Sequence, residues 1–120
     1  NGSGVQWKFT TQTNTNRQSG YTLKLPIAKI AVTANNLVTV KAWFLKGHAT
    51  NIAASLVCRG GQIAGVASDV SATKASDTSE EQLTITFTPT ADGVVEIEAR
   101  AWYVAGHSTV IVDAMTITQV

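Results

Sequence analysis

The sequence is poor in the features that mark several large protein classes. Its 120 residues include one cysteine, so an intrachain disulfide is impossible. No apolar run approaches the roughly 18 residues of a membrane-spanning helix, which argues against membrane insertion. Basic residues are not interleaved with aromatics, so the usual nucleic-acid-binding pattern is missing. The whole chain is 44% hydrophobic and only 14% charged, and this balance predicts a folded globular domain.

Acidic residues are absent from more than half of the chain. Residues 1–68 carry seven Lys and Arg and no Asp or Glu, a net charge of +7. Residues 69–120 carry eight acids and two cations, a net charge of −6. This segregation predicts either head-to-tail contacts between copies or ion pairs within one subunit whose strands interleave. The second is the simpler expectation.

Apolar and polar residues alternate along the chain with the period of a half-buried strand, and no helical period occurs. Polar segments at 11–20 and 68–79 predict loops, and the turn at 91–93 predicts a hairpin between its two flanking strands. Eight short strands favour an all-β antiparallel β-sandwich of the jelly-roll kind. The predicted strands are 5–10, 21–27, 37–46, 52–59, 62–66, 83–88, 95–103 and 109–118.

Composition also predicts how the strands are placed. Pro26 predicts that its strand lies at a sheet edge or breaks there. Segment 37–46 is predicted to lie in the centre of a sheet. The last strand is predicted to lie there too, because its residues are apolar on both faces. Residues 1–20 are predicted to be a polar N-terminal strand and arm or linker, and residues 21–120 the jelly roll. The chain starts with Asn and a glycine-rich stretch, which predicts a processed product or a piece of a longer chain.

Cys58 is flanked at alternate positions by Ala54 and Leu56, so it is predicted to be a buried core thiol rather than a nucleophile. His48 and His107 both lie in glycine-containing turns. Neither belongs to a motif with metal-ligand spacing, so both are predicted to be exposed turn residues.

Two segments resemble the C-terminal half of carbohydrate-binding-module-like jelly rolls, also called galactose-binding-like domains. They are EEQLTITFTPTADGVVEIEARAW and STVIVDAMTIT. LVTVKAWFLKG resembles the earlier tryptophan-bearing strand of these domains, and the resemblance extends over residues 20–118. RGGQIAGVASDVSA is similar to versions of the domain found in bacteriophage structural proteins.

The resemblance implies a non-catalytic module that acts through its surface. Our first hypothesis is a structural or display module of a bacteriophage virion, such as a capsid decoration, fibre or tail-associated domain. It would contact its own copies or other virion proteins, on the virion surface or outside the cell. The polar N-terminal arm and the charge segregation favour this hypothesis. The alternative is a carbohydrate-binding accessory domain that recognises surface glycans through a tryptophan-bearing sheet face.

Two tryptophans, Trp43 and Trp102, fall on the row opposite the main apolar row of their strands. In the family that the chain resembles, aromatics on a sheet face stack on sugar rings while polar neighbours bind hydroxyls. The resemblance therefore implies a ligand-binding role for both tryptophans and for Lys41, Glu98 and Arg100. The competing interpretation is that the tryptophans pack in a core or a subunit interface.

The resemblance also implies a calcium ion held by the inward Asp of the last strand, here Asp113. Residues 1–68 lack the acids that would complete such a site, so no cofactor is expected.

Glu96 and Glu98 share a strand face, as a glycosidase carboxylate pair would. A solvated face with Arg100 as the countercharge is the simpler interpretation, and the sequence predicts no enzyme.

Overall fold

The computed structural model describes residues 6–11, 21–46, 52–74, 79–103 and 108–120. These residues form strands and turns, and none of them belongs to a helix that could cross a membrane. The strands are β1 (Gln6–Thr11), β2 (Tyr21–Val32), β3 (Val38–Lys46), β4 (Ile52–Cys58), β5 (Val70–Thr73), β6 (Glu81–Phe87), β7 (Gly93–Tyr103) and β8 (Ser108–Gln119).

The strands form two antiparallel sheets of four. The first sheet has the order β1-β8-β3-β6 and the second the order β2-β7-β4-β5. The pairs β1/β8, β2/β7, β3/β6 and β4/β5 are all hydrogen-bonded neighbours. These are the pairs of one long hairpin that turns at the β4–β5 connection and is then wrapped into two layers. This is the pairing of an eight-stranded jelly roll. The predicted fold is confirmed.

The core lies between the sheets and follows from alternation along each strand. Cys58 belongs to it, as predicted, and burial raises the pKa of the thiol from 9.0 to about 11, so the thiol stays protonated at neutral pH. The inward rows of the two best-patterned strands are fully buried. They are Val38, Val40, Ala42 and Phe44 in β3, and Val95, Ile97, Ala99 and Ala101 in β7.

Edge and central positions agree with the sequence patterns. β2 has only β7 as a neighbour, and its register shifts between Pro26 and Ala28, so the proline lies on an edge strand. β3 and β8 each have neighbours on both sides. Residues 6–11 pair with β8, so Thr11, predicted to begin the polar arm at 11–20, belongs to β1, and the rest of that arm lies outside the described residues.

Two predictions about the middle of the chain are wrong. Residues 62–66 form no strand, because Gln62 and Ala64 have φ values of 84° and 45° and Ile63 pairs only with Val66 across a tight turn. Segment 68–79 was predicted to be a loop but contains β5. At four residues, β5 is too short to give a clear period of two.

The predicted hairpin between β6 and β7 does not form. β6 pairs with β3 in the first sheet, while β7 lies between β2 and β4 in the second. The turn at residues 88–92 therefore crosses from one layer to the other. A local turn motif shows that the chain reverses direction, but it does not show whether the next strand pairs within the same sheet.

Three connections meet at one end of the sandwich and are hydrogen-bonded to one another: residues 33–37, 59–69 and 88–92. The Asn35 N–H donates to the Pro89 carbonyl at 2.8 Å, and the Ala91 N–H donates to the Ala64 carbonyl at 3.3 Å. The backbones of the three connections therefore approach closely. Within the 59–69 connection the backbone also folds back on itself, and a Cβ at Gly60 would overlap the carbonyl carbon of Ser68.

We expect Gly60→Ala to lower the free energy of unfolding by about 3 kcal/mol, since the backbone must move to admit the methyl group. Gly61 is a matched control, because a Cβ there would meet nothing within 4 Å although φ is +81°. Gly61→Ala should cost roughly 1 kcal/mol, from the left-handed backbone alone. Urea unfolding of both variants measures the difference. Equal losses would contradict the close approach at Gly60.

Candidate functional site

The predicted ligand-binding residues lie on two different sheets. Lys41 and Trp43 belong to β3 in the first sheet, on the outer row, where Lys41 is exposed and Trp43 half-buried. Glu98 and Arg100 lie on the outer row of β7 in the second sheet. Trp102 also belongs to β7, and its side chain lies outside the described residues. The two tryptophans are therefore on separate sheets and do not form one platform.

The outer row of the second sheet carries a group of paired charges. The cations come from β2, β7 and the end of β4, and the acids from β7 and the residue before β5. We call this surface the charged face. Its members are Lys29, Arg59, Asp69, Glu96, Glu98 and Arg100.

Glu98 lies at the centre of the charged face and is only 4% exposed. Strand pairing aligns Glu98 with Pro26 of β2 on one side and with Val57 of β4 on the other. Its carboxylate accepts hydrogen bonds from Nε and Nη2 of Arg100, at 3.4 and 3.3 Å. The prediction of a solvated row is wrong here, although Arg100 is the countercharge as predicted. Alternation gives the direction of a side chain but does not show whether long neighbours cover it.

Arg100 forms a second ion pair that spans the sheet. Its Nη1 lies 3.0 Å from Oδ2 of Asp69. In register Arg100 is beside Ser55 of β4, whereas Asp69 directly precedes Val70 at the start of β5. The ion pair therefore passes across Val57, which lies on the outer row and yet is 1% exposed. One guanidinium thus pairs with two carboxylates, those of Glu98 and Asp69.

Asp69 is fixed from a second direction by the loop that precedes β5. Its Oδ1 accepts the Gly60 N–H at 2.9 Å. This hydrogen bond, with the nearby guanidinium groups of Arg100 and Arg59, holds the pKa of Asp69 below its ordinary value of 3.8. The carboxylate is therefore ionised above that pH, and the charge pattern of this part of the face is constant through the neutral range.

Glu96 connects the two halves of the chain. Its carboxylate lies 2.6 Å from Nη1 of Arg59 and 3.8 Å from Nζ of Lys29. Both cations come from the half that lacks acids, so the predicted pairing of charges within one subunit is confirmed for this cluster. Beside it, an open groove of about 430 Å³ is lined by Pro26, Ala28, Lys29 and Glu96.

Neither a metal centre nor an unpaired carboxylate couple is built from the described residues. Glu96 and Glu98 are each held by a cation. Within the described ranges, no three His, Cys, Asp or Glu residues are close enough to hold a metal ion. The Asp113 backbone pairs with β1 and β3, but its side chain lies outside the described residues, so the expectation of no cofactor and the calcium alternative at Asp113 both stay predictions. His48 and His107 lie outside the described residues as well.

The sequence patterns do not identify Lys29, Arg59 and Asp69 as members of the charged face. Charge segregation predicted that the halves would pair, but it named no partners. Asp69 lies in a segment predicted to be a loop, and only the pairing of β5 with β4 brings it beside Arg59. Partners so distant along the chain are determined by strand order, which is a tertiary property.

No protein-family model and no curated protein matches this sequence. Solved structures do match. The EclA C-terminal domain, a sugar-binding protein, is 15% identical, with 97% of this chain and 80% of that chain covered and a TM-score of 0.61. A carbohydrate-binding module, CBM4, is 14% identical, with 94% and 82% covered and a TM-score of 0.59.

A virus protein has a similar fold. A chain of the infectious bursal disease virus Gt strain is 9% identical, with 98% of this chain and 31% of that chain covered and a TM-score of 0.52. The resemblance to carbohydrate-binding-module-like jelly rolls is thus confirmed at the level of the fold. The chain is a jelly-roll domain with the fold of these modules.

We expect Arg100→Met to lower the free energy of unfolding by about 2 kcal/mol at neutral pH, because the buried Glu98 carboxylate loses its partner. The double variant Arg100→Met/Glu98→Gln should lose less than the sum of the two single losses, since it leaves no unpaired charge at that position. Urea denaturation of all four proteins measures the coupling.

Lys41→Met is the matched control for this cycle. Lys41 is an exposed cation on the other sheet, so its loss should change the free energy of unfolding by less than about 0.5 kcal/mol. Additive losses for Arg100 and Glu98 would show that the two side chains are not coupled.

Proposed function

We propose that this domain is a non-catalytic recognition module that binds carbohydrate through the charged face of the second sheet. The observation that carries the proposal is the buried Glu98 carboxylate held against Arg100 in the middle of an outer sheet face. Glu98 is buried and acts by holding Arg100 in place, whereas the more exposed carboxylates of Glu96 and Asp69 can accept hydrogen bonds from sugar hydroxyls and the guanidinium N–H groups can donate to them. Because both groups are already fixed by ion pairs, binding costs little side-chain entropy.

The charge balance of the face selects the type of ligand. Three cations and three acids are paired with one another, so the face has no excess of either sign. Such a surface suits a neutral, hydroxyl-rich ligand better than a polyanion, which would find no unpaired cation. The groove beside Glu96 provides a concave space for a sugar residue next to these groups.

Trp102 is proposed to supply the aromatic surface for a sugar ring, since it follows Arg100 by two residues on β7. Carbohydrate C–H faces pack well against an aromatic ring. The similarity in fold to the EclA sugar-binding domain and to CBM4 supports a role of this kind. On this proposal Trp43 and Lys41, on the other sheet, do not contact the sugar.

A glycan-array screen tests the proposal. The wild-type domain should bind neutral glycans, and Glu98→Gln and Trp102→Ala should each lose at least about tenfold in affinity. Trp43→Ala is the matched control and should bind like the wild type, because it removes a tryptophan from the opposite sheet. Circular dichroism of each variant checks folding. The proposal fails if the folded wild type binds no glycan, or if Trp43→Ala loses as much binding as Trp102→Ala.

A second function is supported by a different observation, the shared fold over 98% of this chain with a chain of infectious bursal disease virus. In that role the domain is a structural or display module of a bacteriophage virion, such as a capsid decoration, fibre or tail-associated domain. Its contact surface would be the outer face of the first sheet, where Lys41 and Trp43 lie. The two functions are compatible, because many weak glycan contacts on one particle add in strength.

Immunogold electron microscopy of intact particles checks the virion role. Antibodies against the domain should label particles at regular positions, and Trp43→Ala should reduce the labelling. Purified particles that carry no label would count against the role.

A further inference from the structure

The groove beside the charged face lies where the edge strand β2 departs from regular pairing. Pro26 is aligned with Glu98 of β7, whereas Ala28 is aligned with Ile97, so β2 contains one extra residue at this point. An extra residue of this kind bends a strand and redirects its side chains. Among the described residues, β2 pairs with β7 alone. The groove therefore lies at an edge of the second sheet.

The groove combines apolar and charged groups in a small space. Pro26, which is exposed, and the half-buried Ala28 contribute apolar surface. Lys29 and Glu96 contribute a cation and a carboxylate, with Nζ and Oε2 3.8 Å apart. The volume of about 430 Å³ is sufficient for one sugar residue with its substituents.

The two carboxylate oxygens of Glu96 differ in their contacts. Oε1 accepts a hydrogen bond from Nη1 of Arg59 at 2.6 Å. Oε2 accepts no hydrogen bond from the described residues, since Nζ of Lys29 at 3.8 Å is beyond hydrogen-bond distance. The backbone N–H of Arg59 also donates to the Glu96 carbonyl at 2.9 Å. Glu96 is thus held through one oxygen and retains the other as an acceptor for a ligand.

We propose that this groove binds the acetamido group of an N-acetylhexosamine, so that the glycan recognised by the charged face contains such a sugar. The inference rests on the proposed carbohydrate-binding function. The acetyl methyl group packs against Pro26 and Ala28, and the amide N–H donates to Oε2 of Glu96. The hydroxyl on the neighbouring ring carbon accepts a hydrogen bond from Nζ of Lys29.

Other sugars match the groove less well. A hexose with a hydroxyl in place of the acetamido group can donate to Oε2 of Glu96, but it has no methyl group to cover Pro26 and Ala28. An acidic sugar would bring a second carboxylate toward that of Glu96, and like charges repel. The acetamido group is uncharged, in agreement with the balanced charges of the face.

A glycan array with matched pairs tests the inference. The members of a pair differ only in the terminal sugar, which is N-acetylglucosamine or glucose in one pair and N-acetylgalactosamine or galactose in the other. In at least one pair the wild type should bind the N-acetylated member about fourfold more tightly or better, which is the effect of burying one methyl group. In saturation-transfer NMR of that ligand, the acetyl methyl protons should receive the strongest saturation.

Glu96→Gln changes the hydrogen-bonding character of the groove and little of its shape. Arg59 retains the amide oxygen as its acceptor, so an NH₂ group that donates but does not accept takes the place of Oε2. A sugar hydroxyl can accept from this group, whereas an acetamido N–H cannot donate to it. The preference for the N-acetylated sugar should therefore disappear.

Asp92→Asn is the matched control for this variant. Asp92 is an exposed acid outside the groove, and its Oδ1 accepts the Ala34 N–H at 2.8 Å, as an asparagine oxygen also can. The control should keep the wild-type preference. Equal binding of both members of each pair by the wild type overturns this inference alone, as does a preference that survives in Glu96→Gln or is lost in Asp92→Asn. A folded wild type that binds no glycan overturns the proposed function as well.

Discussion

The structure depends on the placement of β7 between β2 and β4. Its inward row, from Val95 to Ala101, lies in the core with no exposed surface, and its outward row carries Glu98 and Arg100. One strand therefore supplies both the packing that holds the two layers together and the side chains that give the second sheet its chemistry. Because β7 has neighbours on both sides, Arg100 reaches Asp69 beside β5, and Glu96 reaches Lys29 on β2 and Arg59 after β4. A similar pattern on an edge strand would leave them largely solvated.

The charged face shows how an unequal charge distribution along a chain becomes a balanced surface. Glu96 comes from the acidic half and meets Lys29 and Arg59 from the basic half, because β2 and the end of β4 both lie beside β7. The ion pairs then contribute more to orientation than to stability, since exposed pairs are weak. Fixed donors and acceptors without net charge are the property on which recognition of a neutral sugar would depend.

The two outer faces divide the possible roles of the domain. The second sheet presents paired charges and a groove, whereas the first sheet presents threonines, Lys41 and a half-buried Trp43. A ligand on the second sheet and a protein contact on the first sheet would therefore not compete for space.

The sequence by itself determined the all-β class, the inward rows of β3 and β7, the edge position of Pro26 and the burial of Cys58, because alternation and backbone restrictions act within a few residues. The tertiary structure decided the rest. Alternation distinguishes the two sides of a strand but not the sheet to which the strand belongs, so Trp43 and Trp102 looked equivalent and yet lie in different layers. β5 was too short to give a periodic signal, and Asp69 found its partners only once β5 had paired with β4. Which charges meet is set by strand order across the sandwich, and that order depends on contacts between distant parts of the chain.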